Sequence, residues 1–160
     1  LAQWQAVIDV NLTGVFLTGR EAAERMIALG HGGCIVNISS LSRAGNFGQS
    51  NYSAAKAGVA ALTVVWAKEL ARYGIRVNAI APGPVETEMA KQVHDSAIRS
   101  DYFDAIPLKR YGSTEEIASA IGFLCSEAGG YINGQVLAVD GGFDATGIGL
   151  PTLRDNSITP

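Results

Sequence analysis

Residues 34–81 read CIVNISSLSRAGNFGQSNYSAAKAGVAALTVVWAKELARYGIRVNAIA. Within them, residues 34–38 and 75–81 are short apolar runs rich in β-branched side chains, which are typical of strands covered on both faces. Residues 51–73 form a long apolar segment that ends at Gly74, as a helix with a glycine stop does. A strand, a helix and a second strand in this order predict a crossover between parallel strands.

The sequence on either side continues this alternation of helices and strands. Apolar residues recur three or four positions apart through residues 3–29, which predicts a helix. After an irregular region at 85–111 with short helices, a capping box of Ser113 and Glu116 opens a further helix. Residues 135–139 predict a third strand.

The alternation predicts an α/β fold, with a doubly wound, Rossmann-like parallel sheet and helices on both of its faces. We expect residues 1–143 to form one domain and residues 144–160 to form a tail. The run at 34–38 would be an exposed apolar edge, which natural sheets avoid. The sheet is therefore expected to be incomplete and to lack its amino-terminal strands.

Composition and charge argue against several classes of function. Of the 160 residues, 48% are hydrophobic, and the formal net charge of −3 provides no basic field for nucleic acid. The apolar stretch at 57–67 is too short to cross a membrane, and residues 1–10 do not resemble a secretion signal, so a cytoplasmic location is expected. The two cysteines and two histidines show no ligand spacing, so no metal site is expected.

Tyr52 and Lys56 carry the first chemical signal. Their spacing stacks both side chains on one face of a helix. A phenol has a reference pKa of about 10, and a nearby ammonium favours its ionised form, so the pair suits proton transfer. Taken alone, the pair also fits an ordinary surface contact.

Further polar groups converge on the same end of the predicted sheet, where open α/β sheets bind their ligands. Together these segments resemble the short-chain dehydrogenase/reductase family, and within it the 3-oxoacyl-carrier-protein reductase branch. The resemblance implies an NAD- or NADP-dependent oxidoreductase that interconverts a ketone and a secondary alcohol by hydride transfer. The segments that carry it are VNLTG (10–14), IVNISS (35–40), NYSAAKAG (51–58), IRVNAIAPGPVET (75–87) and GQVLAVDGG (134–142).

The resemblance also implies a role for each catalytic residue. Tyr52 is the general acid in reduction and the base in the reverse direction, and Lys56 lowers the pKa of the phenol and binds the nicotinamide ribose. Ser40 hydrogen-bonds the substrate oxygen. Asn11 kinks its helix and binds a water that links Lys56 to solvent. Counting back from Tyr52 selects Ser39 instead, but we favour Ser40 because the strand register is fixed by packing.

The resemblance places the cofactor against the segment after the second strand. Val85 meets the carboxamide through its backbone, Thr87 lies near the phosphates, and Pro82 and Gly83 complete the cofactor-binding set. The family's glycine-rich TGxxxGxG turn does not occur in this sequence. We therefore expect the chain to be a carboxyl-terminal catalytic portion that cannot hold the adenine half of the cofactor by itself.

Two alternatives and two further expectations complete the interpretation. The absent glycine turn also fits a non-catalytic binding or scaffolding module, and a Tyr-x-x-x-Lys pair also occurs in epimerases and dehydratases of the extended relatives. The apolar outer face of the helix at 51–73 is expected to form a subunit contact in a homo-oligomer, a dimer or tetramer. Residues 86–107 are expected to form a lid over a small-molecule substrate. Four apolar residues are expected either to form a wall of the substrate pocket or to serve the packing of short helices: Met89, Phe103, Ile106 and Phe47.

Overall fold

The computed structural model describes residues 1–145, so residues 146–160 of the expected tail lie outside the described part of the chain. Within that part, the helices and strands occur in the predicted order and close to the predicted bounds. The helices are α1 (Ala2–Ile8), α2 (Gly14–Leu29), α3 (Ser50–Leu70), α4 (Glu88–Val93), α5 (Ser96–Ala105) and α6 (Thr114–Cys125). The strands are β1 (Gly33–Ile38), β2 (Ile75–Pro82) and β3 (Val136–Val139).

The three strands form a parallel sheet in the order β1-β2-β3, as predicted. The register pairs Asn37 with Ala79 and Ala79 with Val136, so the carboxyl ends of all three strands lie at one edge. β1 is an outer strand of this sheet, and Ile38 at its end is 43% exposed. The α/β class and the parallel pairing are therefore confirmed.

Helices cover both faces of the sheet because successive strand residues point to opposite sides. On one face, Ile35 and Val77 pack against Trp66 of α3. On the other face, the thiol of Cys34 donates to the carbonyl oxygen of Leu124 in α6 at 3.5 Å. The β1-α3-β2 unit is the centre of the fold, and it fixes α3 relative to the strand ends.

The long helix predicted at 3–29 is interrupted by a π-helical turn, Asp9–Thr13, between α1 and α2. Asn11 lies inside this turn, and its Nδ2 donates to the carbonyl oxygen of Val7 at 3.2 Å. A π turn inserts one extra residue and redirects the helix at that point, which is why such turns are frequent at functional sites.

The capping box predicted at the start of α6 is present. The hydroxyl of Ser113 accepts from the N–H of Glu116 at 3.1 Å, and the Glu116 carboxylate accepts from the N–H of Ser113 at 2.8 Å. The Arg110 guanidinium also binds this carboxylate and, together with the backbone N–H, lowers the pKa of Glu116 to about 2. None of the helices within residues 1–145 has the length and apolar character needed to span a bilayer.

Candidate active site

Lys56 is a buried cation at the carboxyl end of β1. Its Nζ donates to the carbonyl oxygen of Ile38 at 2.9 Å and lies 5.5 Å from the centre of the Tyr52 ring. The residue is only 8% exposed, and this burial lowers the pKa of the Lys56 ammonium. The structure therefore brings the predicted Tyr52 and Lys56 pair together, with the cation held between the strand end and the phenol.

The two neighbouring serines have different surroundings. Ser39 is 2% exposed, and its hydroxyl donates to the carbonyl oxygen of Lys56 at 2.9 Å. Ser40 is half-buried, and its hydroxyl accepts from the N–H of Ser42 at 3.1 Å. The Ser39 proton is thus committed to the protein, whereas the acceptor role of the Ser40 oxygen leaves its own proton for a ligand. This difference favours Ser40 as the site serine.

Asn11 and Lys56 line the same cavity, which has a volume of about 520 Å³. The wall between them includes Ile38, whose carbonyl oxygen already accepts from Lys56. A cavity of this size with several polar groups has room for ordered water, since one water needs only about 30 Å³. The π turn therefore places Asn11 at the wall of the cavity that Lys56 also lines.

The segment after β2 lies against the turn that follows β3. Pro82 ends the strand, and the N–H of Gly83 donates to the carbonyl oxygen of Val139 at 3.0 Å. A Cβ added to Gly83 would lie 2.7 Å from the Cβ of Asp140, closer than side chains approach each other. Glycine is required at this position because two backbone segments meet there.

Val85 forms an isolated parallel β-bridge with Gly112, and the hydrogen bonds of this bridge are made by the residues on either side of Val85. The N–H of Glu86 donates to the carbonyl oxygen of Gly112 at 2.8 Å, and the N–H of Gly112 donates to the carbonyl oxygen of Pro84 at 3.0 Å. The N–H of Val85 itself takes no part in the bridge and points away from Gly112. Thr87 caps α4, with its hydroxyl accepting from the N–H of Ala90 at 3.1 Å.

These groups fit the nicotinamide end of a dinucleotide. The Val85 N–H suits a carboxamide oxygen, and the Lys56 ammonium suits ribose hydroxyls. Within residues 1–145, no group of three or more His, Cys, Asp and Glu side chains is arranged to hold a metal ion.

The expected substrate wall is only partly what the structure contains. Ile106 is 1% exposed and packs with Phe103 against Tyr111, so both side chains serve the packing of the lid. Met89 is 72% exposed. Phe47 does line a pocket, together with Tyr102 and Phe143, two aromatic residues that the sequence interpretation missed.

The segment at 86–107, the expected lid, is held by charged and aromatic side chains. The Arg99 guanidinium binds the Glu86 carboxylate, which lowers the pKa of Glu86, and it lies 4.6 Å from the centre of the Tyr111 ring. The Nδ1 of His94 lies 2.9 Å from the hydroxyl of Tyr111. Burial raises the pKa of Tyr111, so this hydroxyl keeps its proton and its hydrogen bond.

Comparison with known families gives a match over residues 1–144 to the family model described as enoyl-(acyl carrier protein) reductase. A curated relative, the 3-oxoacyl-(acyl-carrier-protein) reductase FabG of Thermotoga maritima, is 49% identical over 140 residues, which cover 87% of this chain and 56% of that protein. The (3R)-3-hydroxyacyl-CoA dehydrogenase of Canis lupus familiaris is 44% identical over 140 residues, or 87% of this chain and 54% of that protein.

Among solved structures, the chain is similar to a gluconate 5-dehydrogenase from Burkholderia cenocepacia in complex with NADP and tartrate. The TM-score is 0.84 and the identity 39%, over 90% of this chain and 57% of that one. The chain therefore spans a little over half the length of the relatives that it matches.

Proposed function

Because this chain belongs to the short-chain dehydrogenase/reductase family, we propose that the protein containing it interconverts a ketone and a secondary alcohol with NAD or NADP. The observation that carries the proposal is the buried ammonium of Lys56, which the Ile38 carbonyl oxygen holds 5.5 Å from the Tyr52 ring. Ser40 follows the end of β1, the strand that contains Ile38, and its hydroxyl has a proton to donate. A phenol, an ammonium and a hydroxyl in this order suit proton delivery to a carbonyl oxygen.

In the reduction, Tyr52 donates its proton to the carbonyl oxygen, and in the reverse reaction the phenolate removes the alcohol proton. Ser40 donates a hydrogen bond to the same oxygen and so fixes the orientation of the ketone. Lys56 stabilises the phenolate electrostatically, because an ammonium close to an anion in a buried site interacts strongly with it. The nicotinamide cofactor, when bound, supplies the hydride for the carbonyl carbon.

Asn11 completes the proton path. Its amide and the Lys56 ammonium border one cavity of about 520 Å³, in which water can connect the two groups. A proton that leaves Tyr52 is then replaced through Lys56 and this water without opening the substrate side of the site. The hydrogen bond from Nδ2 of Asn11 to the carbonyl oxygen of Val7 holds the amide at the cavity wall.

The cofactor would be held by the segment after β2. Val85 offers its backbone N–H to the carboxamide, Thr87 lies toward the phosphates, and Pro82 and Gly83 at the end of β2 belong to the same cofactor-binding segment. Lys56 would bind the ribose. The relatives support both cofactor types, since neighbouring structures hold NADP or NADH.

Two substrate classes follow from the relatives. The Thermotoga and Canis enzymes are named for 3-oxoacyl and 3-hydroxyacyl compounds, whereas the Burkholderia structure is named for gluconate. We favour a 3-oxoacyl or similar ketone, because the pocket next to Ser40 is lined by three aromatic residues and by no charged side chain among the described residues.

We also propose that the protein is a homo-oligomer. On α3, Val65 is 47% exposed, and it shares an apolar groove with Phe16 of α2, itself 40% exposed. This groove suits the symmetric packing of a second copy. The mass of the assembly in solution tests it, and cell fractionation tests the expected cytoplasmic location.

The experiment that tests the proposed activity uses a ketone panel with NADH and NADPH. Replacing Tyr52 by Phe removes only the phenolic oxygen and is expected to lower kcat/KM by about 10²–10⁴-fold, the usual contribution of a general acid. The matched control is Tyr131→Phe, since Tyr131 is fully exposed and distant in sequence. A Tyr52→Phe protein that keeps full activity would reject the assignment, as would a protein with no activity toward any ketone or alcohol.

A further inference from the structure

A pocket of about 410 Å³ opens beside the serine loop. Its wall starts at Leu41, the residue after Ser40, and is closed on the other side by Tyr102 of α5 and by Phe143. We call it the aromatic pocket. The residues that line it are Leu41, Ala44, Gly45, Asn46, Phe47, Tyr102 and Phe143.

The aromatic pocket contains no charged side chain among the described residues. The amide of Asn46 is already used, because its oxygen accepts from the N–H of Phe47 at 2.9 Å and its nitrogen donates to the Gln49 oxygen at 3.2 Å. An anionic group that entered this pocket would lose its hydration and find no cation to replace it. A neutral group, especially a flat apolar one, would lose little.

The cation next to the pocket is neutralised by a carboxylate. The guanidinium of Arg43 lies 2.6 Å from the carboxylate of Asp144, and the two side chains are 21% and 33% exposed. Arg43 precedes the lining residue Ala44, Asp144 follows the lining residue Phe143, and the Arg43 guanidinium also donates to the carbonyl oxygen of Ser40 at 3.4 Å, so the ion pair lies beside the aromatic pocket. Such a partly shielded pair keeps both charges occupied with each other.

The main chain around Asp144 is held independently of this ion pair. The carboxylate of Asp140 accepts from the N–H of Gly142 at 2.9 Å and from the N–H of Asp144 at 2.8 Å. Replacing the Asp144 carboxylate by an amide therefore leaves the turn anchored. The Arg43 guanidinium would then lose its ion-pair partner while the main chain of the turn keeps its position.

We propose that Asp144 determines the charge of the substrates that the site accepts. By neutralising Arg43, it restricts the site to ketones in which the group that enters the aromatic pocket is uncharged. Ketones that carry a carboxylate on this group are excluded. Without Asp144, the guanidinium of Arg43 becomes a bidentate partner for a carboxylate at the pocket wall. This inference rests on the proposed function, because it concerns the substrate of the same site.

The test compares two ketones of nearly equal shape and different charge, methyl 4-acetylbenzoate and 4-acetylbenzoate. The unmodified protein is expected to prefer the ester in kcat/KM by about tenfold or more, the value of one charge-assisted contact. Asp144→Asn should reduce this preference at least fivefold by improving use of the carboxylate. Arg43→Gln should increase it, because Asp144 is then an unpaired anion.

The matched control is Glu21→Gln, which breaks a similar Arg–carboxylate pair of 2.7 Å on the outer surface of α2 and should leave the preference unchanged. Circular dichroism checks the folding of each variant. Because Asp144→Asn and Arg43→Gln are expected to change the preference in opposite directions, a common folding defect cannot explain both results. Equal use of ester and carboxylate by the unmodified protein, or an unchanged preference in both pocket variants, would overturn the inference.

Binding of the two compounds by saturation-transfer NMR separates this inference from the proposed function. If neither ketone is reduced but the ester binds, and the carboxylate binds only to Asp144→Asn, the charge selection stands and the proposed reaction is wrong. If the compounds bind all variants alike, the charge selection is wrong, whatever the turnover.

Discussion

The catalytic rim and the lid are built by different kinds of contact. The proposed rim consists of Ser40, Tyr52 and Lys56, and two of these side chains form hydrogen bonds with the main chain: the Lys56 ammonium donates to the Ile38 carbonyl oxygen, and the Ser40 hydroxyl accepts from the N–H of Ser42. The expected lid at 86–107, with Tyr111 packed against it, is fixed mainly by side chains that bind one another. Its contacts include the ion pair between Glu86 and Arg99 and the hydrogen bond between His94 and Tyr111.

This difference separates the chemistry from the selection of substrate. Main-chain carbonyl groups belong to the parallel sheet, and they keep their positions whatever the ionisation of nearby side chains. Contacts between charged side chains depend on pH and are easily replaced by mutation. The rim is therefore expected to tolerate almost no change, whereas the lid should tolerate many changes with modest effects.

The largest effect within this comparison is expected for Lys56→Met. The variant removes the buried ammonium, and kcat/KM should fall about a hundredfold or more, since phenolate stabilisation is lost. Because burial lowers the pKa of Lys56, its ammonium should lose the proton at a pH below the ordinary 10.5 of lysine. The activity of the unmodified protein should fall at that pH, and the variant should lack this decline. Steady-state kinetics against pH measures both effects.

The matched control for this change is Lys68→Met, on the exposed side of the end of the same helix. It should keep the activity and the pH profile. Equal losses in the two lysine variants would mean that the rim depends on overall charge and not on the position of Lys56.

The next largest effect concerns the adjacent serines. Ser40→Ala is expected to lower kcat/KM by about tenfold to a hundredfold, because a hydrogen bond to the substrate oxygen is lost, and to lower the free energy of unfolding by about 1 kcal/mol, because the N–H of Ser42 loses its acceptor. Ser39→Ala removes the hydrogen bond from the buried hydroxyl to the carbonyl oxygen of Lys56, and it should lower the free energy of unfolding by about 0.5–1.5 kcal/mol with kcat/KM nearly unchanged. Kinetics and urea denaturation of both variants give the comparison. The reverse pattern would move the catalytic role to Ser39.

The smallest effect is expected in the lid, for Glu86→Gln. Loss of the pair with Arg99 should loosen the segment that carries Val85 and raise KM a few-fold, with little change in kcat. Since Arg99 lowers the pKa of Glu86 in the folded protein, the contribution of the carboxylate is complete above its ordinary 4.5 and disappears as the pH falls through the lowered value. The KM of the unmodified protein should therefore approach that of the variant in acid. Glu88→Gln, which breaks an exposed pair with Lys91, is the control and should not change KM.

Local signals were sufficient for most of the fold. The β-branched runs at 34–38 and 75–81 predicted β1 and β2, and Gly74 predicted the end of the helix between them; in the structure it adopts a left-handed backbone with φ of 70°. The capping box at Ser113 predicted the start of α6 because its two hydrogen bonds involve residues only three apart. The i, i+4 spacing of Tyr52 and Lys56 predicted their common face for the same reason.

Contacts between distant residues were not predictable in this way. Tyr102 and Phe103 are neighbours in α5, and only the packing of the helix decides that Tyr102 lines the aromatic pocket while Phe103 packs inside the lid. Arg43 and Asp144 form their ion pair across 101 positions of sequence. The environments of Ser39 and Ser40 likewise depend on how β1 meets α3, which no local pattern of hydroxyl residues specifies.

The decisive measurement is a crystal structure of the protein containing this chain, with a nicotinamide cofactor and a ketone bound. We expect the ketone oxygen to lie about 2.6–3.2 Å from the hydroxyl oxygens of both Tyr52 and Ser40, with the Lys56 ammonium on the far side of the phenol. A ketone bound elsewhere, or a Tyr52 hydroxyl turned away from it, would contradict the proposed chemistry.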